Sequence, residues 1–227
     1  MTQTPNEFPL RGFAVIEGVL TTGEVAGLVR LLPDEVAGRR HLLGRIPAVR
    51  ALAGGPPLEH LLAALGCGPV RPVRAVFFDK NPTHNWKVPW HQDLTIAVRE
   101  QRESAGFGPW SVKDGVPHVQ PPVELLARMV TLRVHLDDCD ADNGALRVRP
   151  GSHRHGRISA EELSRWEKAG EFTCTVRAGG VVAMRPLLLH ASSPARNPRH
   201  RRVIHLEFSP DRLPEPLKWF DGEGSEA

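Results

Sequence analysis

His91 and Asp93 are the residues whose types and spacing most clearly suggest chemistry, and they lie two positions apart in WHQD at 90–93. Side chains two apart on a β-strand point to the same face. An imidazole beside a carboxylate supplies two ligands of a 2-His-1-carboxylate facial triad, which leaves three positions of an octahedral Fe(II) open. The pair alone is a weak signal, because a metal site of this kind also requires a histidine from another strand.

His190 supplies that second histidine in the predicted site. It lies where the strand-like run GVVAMRPLLL breaks into a turn, and Arg201 begins the next strand eleven residues later. A hairpin would place these two strands side by side. Arginine binds a carboxylate through two parallel hydrogen bonds, which lysine does less well. A metal together with such an arginine is what 2-oxoglutarate needs, because its keto-acid end chelates iron and its far carboxylate pairs with arginine.

Arg202 is the alternative to Arg201 for this role, and strand alternation separates the two. One face of the predicted strand at 201–209 is mostly polar, and the other is mostly apolar. The first face carries Arg201, Val203, His205 and Glu207, and the second carries Arg202, Ile204, Leu206 and Phe208. The apolar face can pack under helices, so the polar face would point into a barrel. This arrangement favours Arg201 as the carboxylate ligand.

The hydrophobic pattern predicts the elements that position these residues. We expect a strand at 13–16, a helix at 22–32 that begins with the capping-box pair Thr21 and Glu24, and a helix at 57–65. The rest of the chain has the pattern of strands at 70–80, 88–98 with an interruption, 127–138, 146–152, 171–179, 180–186 and 201–209. Strands at short spacing favour a β-sandwich or barrel, and helices followed by strands indicate one α+β domain.

Two turns flank a short strand in DNGALRVRPGSH, and this segment completes a set of motifs that resembles the phytanoyl-CoA dioxygenase family of Fe(II)/2-oxoglutarate-dependent oxygenases. The resemblance covers most of the chain and rests on RGFAVIEGVLTTGEVAGL (11–28), WHQD (90–93), DNGALRVRPGSH (142–153) and LHASSPARNPRHR (189–201). It implies an α+β, mainly β fold, in which N-terminal helices pack on one sheet of a double-stranded β-helix, the cupin-like jelly roll.

The resemblance also implies cofactors and residue roles. It implies Fe(II) as the metal and 2-oxoglutarate and O2 as co-substrates, with three iron ligands, His91, Asp93 and His190. Arg201 would bind the distal carboxylate of 2-oxoglutarate, and Ser192 would donate a hydrogen bond to it. Arg133 falls beside the co-substrate, where family members commonly have tryptophan, so it departs from the family's pattern. It would either contact the co-substrate or reach an anionic substrate.

The segment 99–126 contains three glycines, four prolines and a tryptophan, and it is long for a connection. Long ordered loops in compact domains are often lids or binding loops. We therefore expect residues 1–227 to form a single dioxygenase domain in which 99–126 is a lid or substrate loop.

Five further side chains are candidates for substrate contact, namely Lys87, Trp110, Lys113, His135 and His205. The two histidines would either line the pocket or be satisfied core residues, and the sequence favours neither. Lys80 and Lys87 flank the HxD strand, where solvated lysines are the commoner outcome. Basic residues near the pocket indicate a small-molecule substrate that is anionic or amino-acid-like, and they are Arg133, Lys87 and Lys113.

The predicted function is hydroxylation of an unactivated C–H bond in a small-molecule metabolite, with release of succinate and CO2. Two alternatives remain open on sequence. The same donor set could hold Zn(II) or another divalent ion in a cupin-like hydrolase or isomerase, or it could belong to a non-catalytic metal-binding sensor. Dependence on 2-oxoglutarate separates the oxygenase from the hydrolase, and the absence of any turnover would favour the sensor.

Composition argues against several other classes of protein. The 227 residues are 41% hydrophobic and 24% charged, which is typical of globular proteins. A net charge of +3 with interspersed basic residues argues against a nucleic-acid-binding protein. No apolar run approaches about 18 residues, so no membrane span is expected. The three cysteines show no CxxC spacing and the first residues no signal-peptide pattern, so we expect a cytoplasmic protein without a disulfide framework.

Overall fold

Three antiparallel sheets organise the computed structural model, which describes residues 5–33, 36–166 and 168–221. Their strands are β1 (Phe13–Ile16), β2 (Gly38–Arg40), β3 (Arg71–Lys80), β4 (Val88–His91), β5 (Ile96–Ala97), β6 (Trp110–Lys113), β7 (Val116–Val119), β8 (Val130–His135), β9 (Leu146–Val148), β10 (Phe172–Cys174), β11 (Val181–Met184), β12 (His190–Ser192) and β13 (Arg201–Ser209). The largest sheet has the order β1-β11-β8-β13-β3-β2, the second β10-β9-β12-β4 and the third β5-β7-β6.

Most helices precede the strands that carry the site. They are α1 (Phe8–Arg11), α2 (Thr22–Val29), α3 (Leu42–Arg45), α4 (Pro47–Ala53), α5 (Pro56–Ala64), α6 (Val123–Arg128) and α7 (Ala160–Trp166), with 3-10 turns at Pro5–Glu7, Ala141–Asn143 and Ser152–His155. The predicted capping box is present, because Glu24 N donates to Thr21 Oγ1 while Thr21 N donates to the Glu24 carboxylate. The sequence analysis did not anticipate α1, α3, α4, α6, α7 or β2.

Two apolar clusters hold the layers together. The first packs helix residues such as Leu28 and Leu61 against Leu206 on the outer face of the largest sheet. The second lies between the largest sheet and the four-stranded sheet, and it includes Phe13 and Val148. Helices on one face of a sheet and a second sheet on its other face confirm the predicted jelly roll.

Strand β13 alternates between these two sides as its sequence predicts. Ile204, Leu206 and Phe208 belong to the cluster under the helices. Arg202 shares their face and binds Asp137 through two hydrogen bonds of 2.9 and 2.7 Å. The residues at the intervening positions point between the sheets, where Arg201 and His205 line a cavity.

The segment 99–126, which is long for a connection in the sequence, contains regular structure. Strands β6 and β7 form a hairpin, and β7 also pairs with β5. The hairpin turns at Asp114 and Gly115, both of which have positive φ (51° and 78°). Asp-Gly is a preferred dipeptide for a two-residue hairpin turn, because that turn needs positive φ at both positions. This dipeptide was the signal for the hairpin in the sequence. Whether the segment 99–126 acts as a lid stays a prediction.

Two expectations from the sequence concern membrane-spanning helices and disulfide bonds. Among the described residues, no helix combines the length and the apolarity that crossing a bilayer requires. The three cysteines, Cys67, Cys139 and Cys174, are free thiols. The predicted metal ligands lie elsewhere, in the cavity between the sheets.

Candidate metal centre and co-substrate pocket

Three side chains from two neighbouring strands converge at one end of the cavity. β12 pairs with β4 so that His190 lies directly opposite His91, and the two rings are 4.1 Å apart between centroids. Asp93 follows β4, and its backbone N–H donates to Pro186 O at 2.9 Å. One donor atom from each of the three side chains lies within 4.8 Å of the other two. The structure thus brings the predicted triad together.

Hydrogen bonds to the backbone orient both imidazoles in the same way. His91 Nδ1 donates to Pro89 O at 2.9 Å, and His190 Nδ1 donates to Leu188 O at 2.9 Å. A proton on Nδ1 leaves the Nε2 lone pair free, which is the arrangement that metal-ligating histidines usually have. Both Nε2 atoms lie near Asp93, at 3.9 and 3.7 Å from its carboxylate oxygens. The imidazoles therefore present lone pairs towards a shared position.

The charge state of the triad suits a divalent cation. Burial lowers the pKa of His190 to about 4, so this ring is a neutral donor at physiological pH. Burial alone would raise the pKa of Asp93, but the neighbouring histidines, foremost His190, lower it overall. Asp93 Oδ2 is buried and has no hydrogen-bond partner among the described residues. An unpaired carboxylate oxygen between two imidazoles fits an iron ion that three protein ligands hold on one face.

The cavity that contains the triad has a volume of about 210 Å³. Its lining combines the triad with polar residues from both sheets and with apolar walls, namely Phe78, Trp86, Val88, His91, Asp93, Arg133, Leu146, His190, Ala191, Ser192, Arg201 and His205. A larger apolar groove of about 560 Å³ lies between α2 and the α4–α5 pair. The lining of the groove includes one carboxylate, that of Glu24, and no histidine or cysteine, so the smaller cavity is the candidate site.

Arg201 and Ser192 lie in this cavity, as the sequence predicted. Arg201 is only 2% exposed, and its Nη1 donates to Gly144 O in the turn before β9. Its Nε is buried without a partner among the described residues. A buried guanidinium with an unused N–H is suited to a carboxylate ligand.

Arg133 also lines the cavity, and it forms a polar chain with residues of β13. Arg133 Nη1 forms a hydrogen bond of 3.0 Å with His205 Nδ1. The arginine must be the donor, because its side chain has no acceptor. The His205 proton therefore sits on Nε2, which lies 3.3 Å from Glu207 Oε1 and 4.0 Å from Asp93 Oδ2. Glu207 in turn pairs with Arg74 at 2.8 Å across β13 and β3. This chain holds His205 as a neutral donor beside the triad.

The sequence analysis missed the ion pair of Arg74 and Glu207, although Glu207 had been placed on the inner face. The ion pair joins residues that lie directly opposite each other on β13 and β3, and no local pattern predicts which strands become neighbours. It also left the role of Gln92 open. The Gln92 side chain binds Gly156 O, Leu187 O and Ile158 N, and so it ties the loop before α7 to the triad segment.

Four of the predicted substrate residues do not line the cavity. Lys87 is exposed, and strand alternation turns it away from its neighbours Trp86 and Val88, which do line it. Trp110 packs in an apolar cluster beside β5 and β7. Lys113 donates to Thr95 Oγ1 at 3.0 Å. His135 is 1% exposed with both ring nitrogens unpaired among the described residues, so it is a core residue in this structure.

Lys80 is the clearest departure from expectation. The sequence favoured a solvated lysine, but the side chain is fully buried at the end of β3. Its Nζ donates to Ser192 Oγ at 2.8 Å and to Ser193 O at 2.7 Å. The position lies directly opposite Arg201 in the sheet. Burial of this kind depends on which strand pairs with β3, and local sequence does not contain that information.

Comparison with known proteins agrees with this site. The phytanoyl-CoA dioxygenase family model matches residues 47–203. A search of curated proteins gives no match. Among solved structures, EctD from S. alaskensis with bound Fe is 20% identical, with a TM-score of 0.70 over 93% of this chain and 78% of that chain.

Two structures from nogalamycin biosynthesis share the same fold. The alpha-ketoglutarate-dependent carbocyclase SnoK is 17% identical, with a TM-score of 0.71 over 92% of this chain and 83% of that chain. The epimerase SnoN, in complex with Fe3+, alpha ketoglutarate and nogalamycin RO, is 17% identical, with a TM-score of 0.67 over 91% and 82%. The family match spans more than half of the sequence, and the donor set fits iron. The chain therefore belongs to the phytanoyl-CoA dioxygenase family and is an enzyme of the Fe(II)- and 2-oxoglutarate-dependent oxygenase type.

Proposed function

We propose that this enzyme hydroxylates an unactivated C–H bond of a small molecule that is anionic or amino-acid-like, with release of succinate and CO2. One observation carries the proposal: a His-Asp-His donor set and a buried arginine with an unused N–H line the same cavity. A hydrolase or isomerase with the same metal ligands would not need that arginine, and a sensor would not need the polar chain beside the triad. Family membership also favours the oxygenase over both alternatives.

We assign the metal to the three converging side chains, His91, Asp93 and His190. Their donors would occupy one face of the ion, and the backbone carbonyls of Pro89 and Leu188 would keep both imidazoles in the ligating tautomer. His205 carries its proton on Nε2, which lies 3.3 Å from Glu207 Oε1, so the proton is directed at Glu207 and Asp93 Oδ2 is left for the metal. These contacts within the protein thereby fix both the charge and the orientation of the three metal ligands.

We assign the co-substrate to the opposite part of the cavity. Arg201 would bind the distal carboxylate of 2-oxoglutarate through its free N–H groups, and Ser192 would donate to the same carboxylate. When bound, the iron with 2-oxoglutarate and O2 supplies the oxidising power that breaks a C–H bond. Phe78, Trp86 and Val88 form apolar walls that exclude water from the reacting groups.

Arg133 provides a specific test of how the cavity binds anions. It is 7% exposed, and its Nε is buried without a partner among the described residues. We expect Arg133→Met to raise the KM for 2-oxoglutarate or for the substrate by roughly tenfold or more, because a buried charge contact is lost. Steady-state kinetics with each compound varied in turn would locate the effect. Arg128→Met, a surface arginine paired with Asp211, is the matched control, and unchanged KM values in Arg133→Met would remove Arg133 from both binding sites.

The reaction type can be tested with labelled oxygen. The enzyme would be incubated with Fe(II), 2-oxoglutarate, a panel of small carboxylates and amino acids, and 18O2, and products would be analysed by mass spectrometry. We expect one compound to stimulate succinate formation and to gain one 18O atom. A product of unchanged mass would instead indicate epimerisation, and a product lacking two hydrogens would indicate ring closure or desaturation; either would replace hydroxylation in the proposal.

A further inference from the structure

Arginines lie at both ends of the inner face of β13, on either side of the metal centre. Arg201 begins the strand and lines the part of the cavity that we assign to the co-substrate. Arg74 lies on β3 directly opposite Glu207, near the other end of β13. Between them is His205, whose Nε2 lies 4.0 Å from Asp93 Oδ2. The proposed function assigns a ligand to Arg201 and none to Arg74.

Arg74 has an unused edge close to the metal centre. Its side chain is 12% exposed, and its Nη1 donates to Glu207 Oε1 at 2.8 Å. Its Nε is buried and has no partner among the described residues. Glu207 Oε1 lies 3.3 Å from His205 Nε2, so two side chains link Arg74 to Asp93. A buried donor without an acceptor costs free energy, and an anion bound at this edge would remove that cost.

The third sheet carries a second cation on its polar face. Its strands alternate so that Ile96, Val119 and Trp110 share one face, and these three residues pack in an apolar cluster. Lys113 and His118 lie on the opposite face. Lys113 is also the last residue of β6, directly before the turn of the hairpin. The polar face of this sheet is therefore free to contact another part of the molecule.

Contacts of the hairpin tip place this polar face against the largest sheet. Asp114 pairs with Arg40 Nε at 3.0 Å, and Arg40 lies on β2 beside β3, on the face of the sheet that carries Arg74. Burial lowers the pKa of Lys113, and Arg74 and Arg40 lower it further. Nearby carboxylates, foremost that of Asp93, raise it. The Lys113 ammonium therefore lies within electrostatic range of both Arg74 and the metal centre.

Polar atoms on this face of the third sheet also lack partners. Lys113 Nζ donates to Thr95 Oγ1 at 3.0 Å and forms no ion pair among the described residues. His118 is fully buried, and its Nδ1 donates to Val116 O at 3.0 Å. Burial above all lowers the pKa of His118 to about 4, so the ring is neutral, and its Nε2 has no partner among the described residues. Unpartnered buried groups in a native protein require an explanation, and a polar ligand between the two sheets supplies one.

We propose that Arg74 and Lys113 bind a carboxylate of the substrate, on the side of the triad opposite Arg201. Arginine can bind both oxygens of a carboxylate through parallel hydrogen bonds, and Lys113 would add a second positive charge. Glu207 is bound to Arg74 and is itself an acid, so a singly charged carboxylate fits this place better than a phosphate dianion. The inference rests on the proposed oxygenase function and names the group by which its substrate would be held.

The test is calorimetry without O2 on protein loaded with Fe(II) and 2-oxoglutarate, so that Arg201 is already occupied. A panel of small monocarboxylic acids and α-amino acids would be titrated, and each acid would be compared with its own primary amide. We expect the best-bound acid to bind the wild type at least about tenfold more tightly than its amide, as for a charge-assisted hydrogen bond. Arg74→Met and Lys113→Met should each weaken binding of that acid about tenfold and leave binding of the amide unchanged.

Matched variants separate carboxylate binding from a general structural role. Arg39→Met changes an exposed arginine next to Arg40 on the opposite face of β2, so it should bind acid and amide as the wild type does. Lys113→Arg keeps the positive charge and should keep the preference for the acid. The Fe(II) and 2-oxoglutarate affinities of each variant show whether it is folded. Because Arg74→Met also leaves Glu207 without its partner, Lys113→Met is the variant that keeps the test decisive if Arg74→Met fails to fold.

Three results would overturn the inference. The first is a loaded wild type that binds no acid of the panel, or that binds acids and amides equally well. The second is a preference for the acid that persists in folded Arg74→Met or Lys113→Met, including equal losses for acid and amide. The third is tighter binding of glycerol phosphate than of every carboxylic acid. Failure of the wild type to bind Fe(II) or 2-oxoglutarate at all would be a different outcome, because it would overturn the proposed function and this inference with it.

Discussion

Replacing Asp93 by alanine is expected to abolish turnover and to weaken Fe(II) binding by more than about 100-fold. Replacing a residue that only hydrogen-bonds to a metal ligand already costs about 10- to 100-fold in metal affinity. Asp93 is the only carboxylate in the converging donor set, and its Oδ2 has no other partner among the described residues. The variant would leave two imidazoles, those of His91 and His190, to hold a divalent ion without an anionic ligand. Binding of Fe(II) under anaerobic conditions and formation of succinate would measure both effects.

The matched control is Asp211→Ala, which removes a carboxylate that pairs with Arg128 away from the cavity. We expect this variant to bind Fe(II) and to turn over as the wild type does. If Asp93→Ala kept the wild-type affinity for Fe(II) and the wild-type rate of succinate formation, Asp93 would not be a ligand. The metal would then have to be held by another donor set.

Replacing Arg201 by alanine is expected to weaken 2-oxoglutarate binding by roughly 100-fold or more, the effect of losing about 3 kcal/mol from a buried charge contact. Fe(II) binding should be unchanged, because Arg201 is not part of the donor set. The two properties can be measured separately, by titrating Fe(II) first and 2-oxoglutarate second. An intact metal site with a weakened co-substrate site is the signature of this role.

The neighbouring Arg202 offers a close control, because it lies on the opposite face of the same strand. Its guanidinium binds Asp137, so Arg202→Ala should cost about 1 kcal/mol of stability or less. We expect the Arg202→Ala variant to bind 2-oxoglutarate with the affinity of the wild type. Equal effects of the two alanine variants on 2-oxoglutarate binding would contradict the assignment of the inner face to the co-substrate.

The sequence could predict the parts of the site that follow from spacing. The pair His91 and Asp93 is set by strand periodicity, and the inward orientation of Arg201 follows from the alternation of polar and apolar residues along β13. The jelly roll followed from the resemblance, whereas the order of helices and strands indicated one α+β domain with a β-sandwich or barrel. These features depend on local pattern or on recognisable motifs, and the structure confirms the fold.

The parts that the sequence could not predict depend on pairing between distant segments. Lys80 is buried because β3 pairs with β13 and β12 lies close to its end, and nothing in VRPVRAVFFDK at 70–80 shows this. The ion pair of Arg74 and Glu207 likewise depends on the pairing of β3 with β13, which places the two residues directly opposite each other. The hairpin at Asp114 and Gly115 is a different case, because its turn signal is a local dipeptide that was present in the sequence.

The most direct test of the iron and 2-oxoglutarate site is anaerobic absorption spectroscopy of the purified protein as Fe(II) and then 2-oxoglutarate are added. We expect a weak visible metal-to-ligand charge-transfer band in the wild type. The band should be lost in His190→Ala and should require far more 2-oxoglutarate in Arg201→Ala. Absence of the band in the wild type, with Zn(II) bound in place of iron, would contradict the account and would favour a metal hydrolase or a sensor.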